Sequence, residues 1–501
     1  MTPGPYPADR ADPGEPGAPT AGRFLPLDGI RVIEFGYGIA APVAARNLGQ
    51  FGAEVIRVES RRKPDSLRVG GAGWVPQGYD PRVRYDTMPA LNFSCAGKKS
   101  LGLEIDAEEG YQVLARLVAC TDVFITNMSA DVLPRLRLRY EDLVALKPDL
   151  VYLSMPPFGD DRSPYRAYRT WGQNLSAIAG IDRMVGWPDR DPVQLGIAYP
   201  DYISAQAGAT AVLAALDHRD ETGEGSRIEL SQYEMALAAI GPSILELELR
   251  GTVPAARGNR FEGWVPHGIY PSRGPDRWVA ISVEDDEMWC ALCTVPGLEH
   301  LSDDTRFDSF DRRTRHHDEL DELLCSWTSV RTDREAAAEL QLAGVAAFPV
   351  FDSYDLLADP HLAARDQFRV LPHARFGLDL TFGQAVVMSE TEARYERAAP
   401  ALGEHSREIL RDVGGLGDDE IDRLVLAGVV NEMARPDVHL ERPFLHWIPT
   451  VMRLPWPASH FDPAAELMHR LEDEMAEEAE GEARGAADVA PPAADDRPAT
   501  S

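Results

Sequence analysis

Two stretches of the 501-residue sequence hold residue types whose spacing suits chemistry. In the first, Arg31 to Ser60, a short apolar run (Val32, Ile33) meets Gly36-Tyr37-Gly38-Ile39-Ala40-Ala41, and a second (Val55, Ile56, Val58) ends at Glu59. Glycines at a strand-to-helix turn bring backbone N–H groups to an anion, and the helix dipole favours negative charge there. A phosphate or similar group is therefore expected near Gly36–Ala41. The pattern approaches a dinucleotide fingerprint, with Ala41 in the third glycine position and an acid about 20 residues on. Two features argue against a nicotinamide ligand. Pro42 removes a donor from the helix start, and Glu59 runs into Ser60-Arg61-Arg62-Lys63, cations that suit a phosphorylated ribose. A solvated turn is the plainer reading of those cations. The second stretch is "AYPDYISAQAGA", where the carboxylate of Asp201 is ionised at neutral pH and can attack an activated carbonyl without a separate base. Read on its own residues, Asp201 is more simply a helix N-cap.

The elements that must position these residues alternate. Strands are expected at Arg31–Phe35, Glu54–Val58, Val123–Thr126 and Leu150–Ser154, with helices from about Pro42 and over Glu108–Ala119. Such alternation implies a mostly parallel sheet covered by helices, an α/β fold. Past Gly223-Glu224-Gly225 the texture changes: a strand (Arg227–Leu230), an apolar helix (Tyr233–Glu248), a Gly/Pro-punctuated segment (Arg257–Gly274), then Trp278–Val283. This reads as a second, smaller α+β region. A further buried strand at Val345–Val350 precedes "LGEHSREILRDVGGLGDDEIDRLVLAGVV", which closes with two helices. The division expected is a disordered leader (1–24), a large domain (25–225), a small domain (226–335), a return to the large domain (336–430), an extension (431–480) and an acidic disordered tail (481–501).

A net charge of −31 argues against nucleic acid or an anionic membrane as partner. Five scattered cysteines suggest a reducing compartment without a disulfide framework. Cys290-Ala291-Leu292-Cys293 sits in an apolar helical pattern and reads as core packing, so no metal site is expected. The N-terminal stretch lacks an apolar signal region and no run approaches membrane-spanning length, which fits a cytoplasmic protein.

Further motifs follow in order: "LNFSCAGKKSLGLEID", "TDVFITNMSADVLPRLRL", "LKPDLVYLSMPPFG", "QLGIAYPDYISAQAGATAVLAALDHRDETGEGSRIELSQYEMAL" and "APALGEHSREIL". Their order and spacing resemble the family III CoA-transferases, the CaiB/BaiF family, over about residues 25 to 430. "LDGIRVIEF", "AAP" and "FGAEVIRVE" match the family's opening, and Asp201 through Ser231 match its central motif, with Ser226 and Glu229 as departures. The resemblance implies a Rossmann-like large domain with a parallel sheet, an inserted smaller α+β domain and an interlocked homodimer. It implies coenzyme A or an acyl-CoA as substrate, a carboxylic acid as acceptor, and no tightly bound cofactor. Asp201 matches the family nucleophile, which forms an aspartyl anhydride and then an aspartyl-CoA thioester. Gly38, Ile39 and Ala40 match the loop along the thioester end, and Arg61, Leu103, Asn127, Arg135 and Arg169 match CoA contacts. Trp171, Tyr199 and Tyr202 are expected near the substrate pocket. A polyglycine loop found in one branch of the family is not evident, and Arg257–Trp264 is its nearest counterpart. Two other activities stay open. One is an α-methylacyl-CoA racemase, whose His/Asp pair would need a histidine that this chain lacks before His218. The other is a non-catalytic CoA-binding partner subunit.

Overall fold

The computed structural model describes residues 25–69, 86, 88–159, 162–375 and 377–433. The strands in chain order are β1 (Arg31–Phe35), β2 (Glu54–Glu59), β3 (Lys99–Leu103), β4 (Val123–Thr126), β5 (Val151–Ser154) and β6 (Ser226–Glu229), then β7 (His267–Pro271), β8 (Trp278–Ser282), β9 (Ala346–Pro349), β10 (Phe368–His373), β11 (Gly377–Phe382) and β12 (Val430–Asn431). Seven of them form one sheet, in the order β12-β3-β2-β1-β4-β5-β6. All pairs are parallel except β12 on β3.

Parallel strands buried on both faces need apolar residues at successive positions, and alternate ones serve opposite layers. Val32, Val55, Val123, Ile125, Val151 and Leu153 face one layer; Ile33, Ile56, Val58, Phe124 and Tyr152 face the other. The first layer holds the helices Ala40–Gln50 and Tyr199–Thr222. They meet through Ala40, Ala41, Ala44, Ala45, Ala205 and Ala209, side chains small enough for close backbone approach. The second layer holds Glu108–Val118, Ser406–Asp412 and Asp418–Leu426. Strand order reverses between β1 and β4, so the crevice beyond their carboxyl ends is where a ligand fits in such a sheet.

The smaller antiparallel sheet β7-β8-β9 has its own core around Val279, Ile281, Trp289, Leu292, Phe307, Leu320 and Leu340. Two pairings differ from the sequence-based division. The strand expected to open the small domain at 226 is β6, the edge of the large sheet against β5. The strand expected to begin the return is β9, which pairs with β8, so the small sheet runs past 335. The apolar stretch Tyr233–Glu248 is broken into Gln232–Ala239 and Gly241–Arg250. In the cysteine pair, Cys293 is buried in the core and Cys290 is exposed. The hairpin β10–β11 was not expected. The expectations for 1–24, for 434–480 and for 481–501 fall outside the described residues. Among the described residues no helix is long and apolar enough to cross a membrane.

Candidate active site

The turn after β1 and the end of β4 meet at the reversal point. Asn127 fastens them: Tyr37 N–H donates to its Oδ1 at 2.9 Å, and its Nδ2 donates to the Tyr37 carbonyl at 2.7 Å. This close approach explains Gly36, where a Cβ would lie 2.9 Å from Asn127 Oδ1 and 2.7 Å from Ala41 Cβ. Gly38 is required for conformation instead, with φ at +70°. Its N–H donates to Asp65 Oδ2 at 3.0 Å.

The long helix Tyr199–Thr222 begins with Pro200 in its first turn and ends on Gly223 in the left-handed region. Its N-cap is Ala198, which makes no side-chain cap, and Asp201 is the third residue of the helix, inside its first turn. The alanine-lined packing sets this turn over the start of the first helix, where the Ala40 N–H favours the ionised form of the Asp201 carboxyl. An N-cap is thus not what Asp201 is. Its second oxygen, Oδ2, is buried without a hydrogen-bond partner and lies against the Cα of Gly172, where any Cβ would collide with it. Burial pushes the carboxyl up to about 6, against the lowering effect of the Ala40 and Asp201 N–H groups. The group is mostly ionised at neutral pH, little hydrogen-bonded and poorly solvated, the condition of a strong oxygen nucleophile.

Asp201 forms part of a cavity of about 420 Å³ with Tyr37, Gly38, Asn127, Tyr168, Arg169, Trp171, Gly172, Leu175 and Gln232 among its walls. Trp171 is 60 % exposed at the rim rather than packed in a core. Arg169 makes no ion pair among the described residues. Burial and the nearby Asp65 push the Tyr37 hydroxyl up to about 12, so it stays protonated and donates to the Lys63 carbonyl at 2.6 Å. That bond joins the cavity wall to the cationic turn Ser60-Arg61-Arg62-Lys63.

Of the residues expected at the site, Gly38, Asn127, Arg169, Trp171 and Asp201 line this one cavity. Ala40 is fully buried in the apolar layer, and Ile39 packs against it. Arg61 is exposed and donates to the Glu432 carbonyl at 2.6 Å. Arg135 is exposed on the short helix Leu133–Leu136. Three expectations need correction. Leu103 is 1 % exposed in the core and its strand is paired with Val430, so its side chain is not offered to a ligand. Tyr199 packs with Ala179, Ile181 and Ala236, and Tyr202 against Phe93, its ring centroid 6.1 Å away; neither lines the cavity. The glycine turn does not keep all its N–H groups for a phosphate, because those of Tyr37 and Gly38 are taken by Asn127 and Asp65 and that of Ala40 lies beside the Asp201 carboxyl. Glu59 cannot hold a ribose either, since it is buried 2.5 Å from Arg68. Arg257, Asn259 and His267 line a separate cavity of about 340 Å³. Among the described residues no cluster of His, Cys, Asp and Glu would hold a metal ion.

Gly172, Tyr37 and Gln232 were not anticipated. For Gly172 no local signal exists, because its need comes from a carboxylate on another helix.

The sequence model of CoA-transferase family III matches residues 27–406. Succinyl-CoA–D-citramalate CoA-transferase of Chloroflexus aurantiacus is 31% identical over 405 residues, which are 81% of this chain and 98% of that protein. The succinyl-CoA–L-malate CoA-transferase beta subunit of the same organism is 30% identical over 403 residues, 80% of this chain and 97% of its own. The crystal structure of a CAIB/BAIF family protein from Brucella suis superposes with a TM-score of 0.70 at 27% identity, covering 78% of this chain and 99% of that one. With that family model matching over residues 27–406 and a relative 31% identical along nearly its whole length, the chain belongs to CoA-transferase family III.

Proposed function

We propose that the protein moves CoA from an acyl-CoA thioester to a carboxylic acid through covalent intermediates on Asp201. The observation that carries this reading is the desolvated carboxyl of Asp201, one oxygen of it without a hydrogen-bond partner, on a residue that lines an open cavity. An Asp201 oxygen attacks the thioester carbonyl, the C–S bond breaks, and CoA leaves as thiolate with an acyl-aspartyl anhydride in place. The thiolate then attacks the aspartyl carbonyl, expelling the donor acid as carboxylate and leaving an aspartyl-CoA thioester. An acceptor carboxylate repeats the two attacks in reverse order, taking the CoA and restoring Asp201. No proton has to move, which suits a cavity whose walls, among the described residues, include no histidine. The same observation favours transfer over a racemase, which needs two acid-base groups on opposite faces of the substrate.

Gly38 and Asn127 would hold the thioester end, and Arg61, Arg135 and Arg169 the phosphates. Leu103 would contribute only main chain. The similar proteins use succinyl-CoA, which makes it the first donor to try. An interlocked homodimer is the assembly the family implies. A non-catalytic role beside a second chain is the alternative, since one similar protein is a beta subunit. The purified protein is incubated with acyl-CoA donors, trapped with hydroxylamine or borohydride, and read by intact mass against Asp201→Ala. A donor-dependent adduct absent from the variant supports transfer. CoA binding without an adduct from any donor moves the reading to the partner subunit.

A further inference from the structure

Beneath the glycine turn lies a chain of four charged side chains, each at most 1 % exposed: Asp65, Arg57, Glu34 and Lys98. Arg57 Nη2 lies 2.6 Å from Asp65 Oδ2, Arg57 Nη1 lies 3.0 Å from Glu34 Oε1, and Lys98 Nζ lies 3.1 Å from Glu34 Oε2. Both ends of the chain grip the turn. Asp65 Oδ2 also accepts the Gly38 N–H at 3.0 Å, and Lys98 Nζ also donates to the Pro42 carbonyl at 2.6 Å. Gly38 and Pro42 flank Ala40 symmetrically, two residues before and two after, and it is the Ala40 N–H that favours the ionised Asp201 carboxyl. Burying four charges costs solvation that well-packed apolar residues would not, so their presence calls for a reason other than stability.

We propose that Asp65, Arg57, Glu34 and Lys98 are positioning residues, a buried brace that grips the turn at Gly38 and Pro42 and so keeps the Ala40 N–H beside the Asp201 carboxylate. This rests on Asp201 being the reactive group, but not on which reaction it performs. Arg57 Nε also lies 3.2 Å from Glu59, which pairs with Arg68, so acids and bases alternate through the set and beyond it, fixing geometry while adding little net field at the nucleophile. The titratable and charged groups facing Asp201 are Tyr202 on its own helix, Arg46 beyond Tyr202 on the first helix, and Tyr37 and Arg169 across the cavity. None of them pairs with the carboxyl; burial and two N–H groups set its acidity.

The test follows the titration of Asp201 itself by 13C NMR of protein labelled at aspartate Cγ. Its line is identified by its loss in Asp201→Asn. No turnover is needed, so the result stands whether or not transfer is ever seen. Two variants are read, Asp65→Asn, which keeps the side-chain shape, and the charge-balanced pair Glu34→Gln with Lys98→Met. An N–H bond lowers a carboxyl pKa, so its loss should raise the midpoint by about half a unit or more from its starting value near 6. The exposed pair Arg423–Glu109 serves as control, with Arg423→Ala leaving the midpoint in place. Folded variants with an unshifted midpoint would overturn the proposal. So would failure of both variants to fold, which would make the brace a stability element.

Discussion

Gly172 offers the sharpest test of the site, because one methyl group separates two outcomes. A Cβ there would overlap Asp201 Oδ2, and it would lie 3.1 Å from Asp201 Cγ and 2.7 Å from Ala198 Cβ. Carbon contacts settle near 3.5–4.0 Å, so the carboxylate or the helix start must retreat by about 1 Å. A misplacement of that size at reacting atoms costs about 100-fold in rate, or about 2.7 kcal/mol of barrier. Gly241 is the matched control. It too opens a helix, Gly241–Arg250, and a Cβ there meets nothing within 4 Å. Replacing either glycine with alanine restricts the unfolded chain, worth about 0.4–1 kcal/mol where the folded site is open. Gly241→Ala should therefore keep the wild-type rate of adduct formation on Asp201 and gain slightly in stability. Gly172→Ala should form adduct about 100-fold more slowly while still binding CoA. Rapid quench with intact-mass detection measures the rate, and isothermal titration the affinity. Adduct formation by Gly172→Ala within twofold of wild type would refute the placement of the carboxylate.

Other consequences follow from burial and charge. Because the Asp201 carboxyl titrates near 6, adduct formation should rise with pH through 6 and level off above about 7; a rate flat from pH 5 to 8 would contradict this. The same shift has a stability sign. An acid whose folded pKa stands above its unfolded value binds more protons when folded, so stability falls as pH rises from about 3.8 to 6, by roughly 3 kcal/mol. Asp201→Asn should then melt higher than wild type at pH 7.5 in calorimetry, and an unchanged or lower midpoint would count against the burial argument. His373 and His405 run the other way, since burial holds them down to about 3 and about 4. Their stability is present above about 6.5 and lost as pH falls toward those values, so denaturant titrations should show steep weakening between pH 6 and 4 that His405→Gln reduces. Arg68 is paired with both Glu59 and Asp86 and is fully buried, so Arg68→Met should cost about 3–5 kcal/mol, whereas Arg423→Ala at the surface should change the urea midpoint hardly at all.

The sheet was legible because its strands are buried on both faces. Arg31–Phe35 and Val123–Thr126 were placed to the residue, and Glu54–Val58 missed only Glu59. The helix Glu108–Val118 showed itself through Val113, Leu114, Leu117 and Val118 on one side. By contrast, β12 is two residues long and has no period to read, and the hairpin β10–β11 carries Pro372 and Asp379 among its apolar residues. The buried charges were invisible for a different reason. Charge in a sequence predicts exposure, and only tertiary contacts reveal that Glu34, Arg57 and Lys98 satisfy one another inside.

The glycine turn was read as a phosphate cradle for a reason that lies in the backbone itself. A row of N–H groups at a helix start accepts any anion, and nothing local distinguishes a ligand phosphate from a carboxylate of the same chain. Here Asp65 arrives from elsewhere in the sequence and takes the Gly38 donor first, and the Asp201 carboxyl sits beside the Ala40 N–H. Asp65 is itself balanced by Arg57, so the turn offers a further anion fewer free donors rather than a net charge. An anionic group entering the cavity must be balanced across the opening, where Arg169 stands without an ion pair among the described residues. In the proposed transfer, the division of labour would be set by which carboxylate fills the turn: backbone N–H groups would favour the ionised Asp201, and Arg169 would meet the substrate's charge.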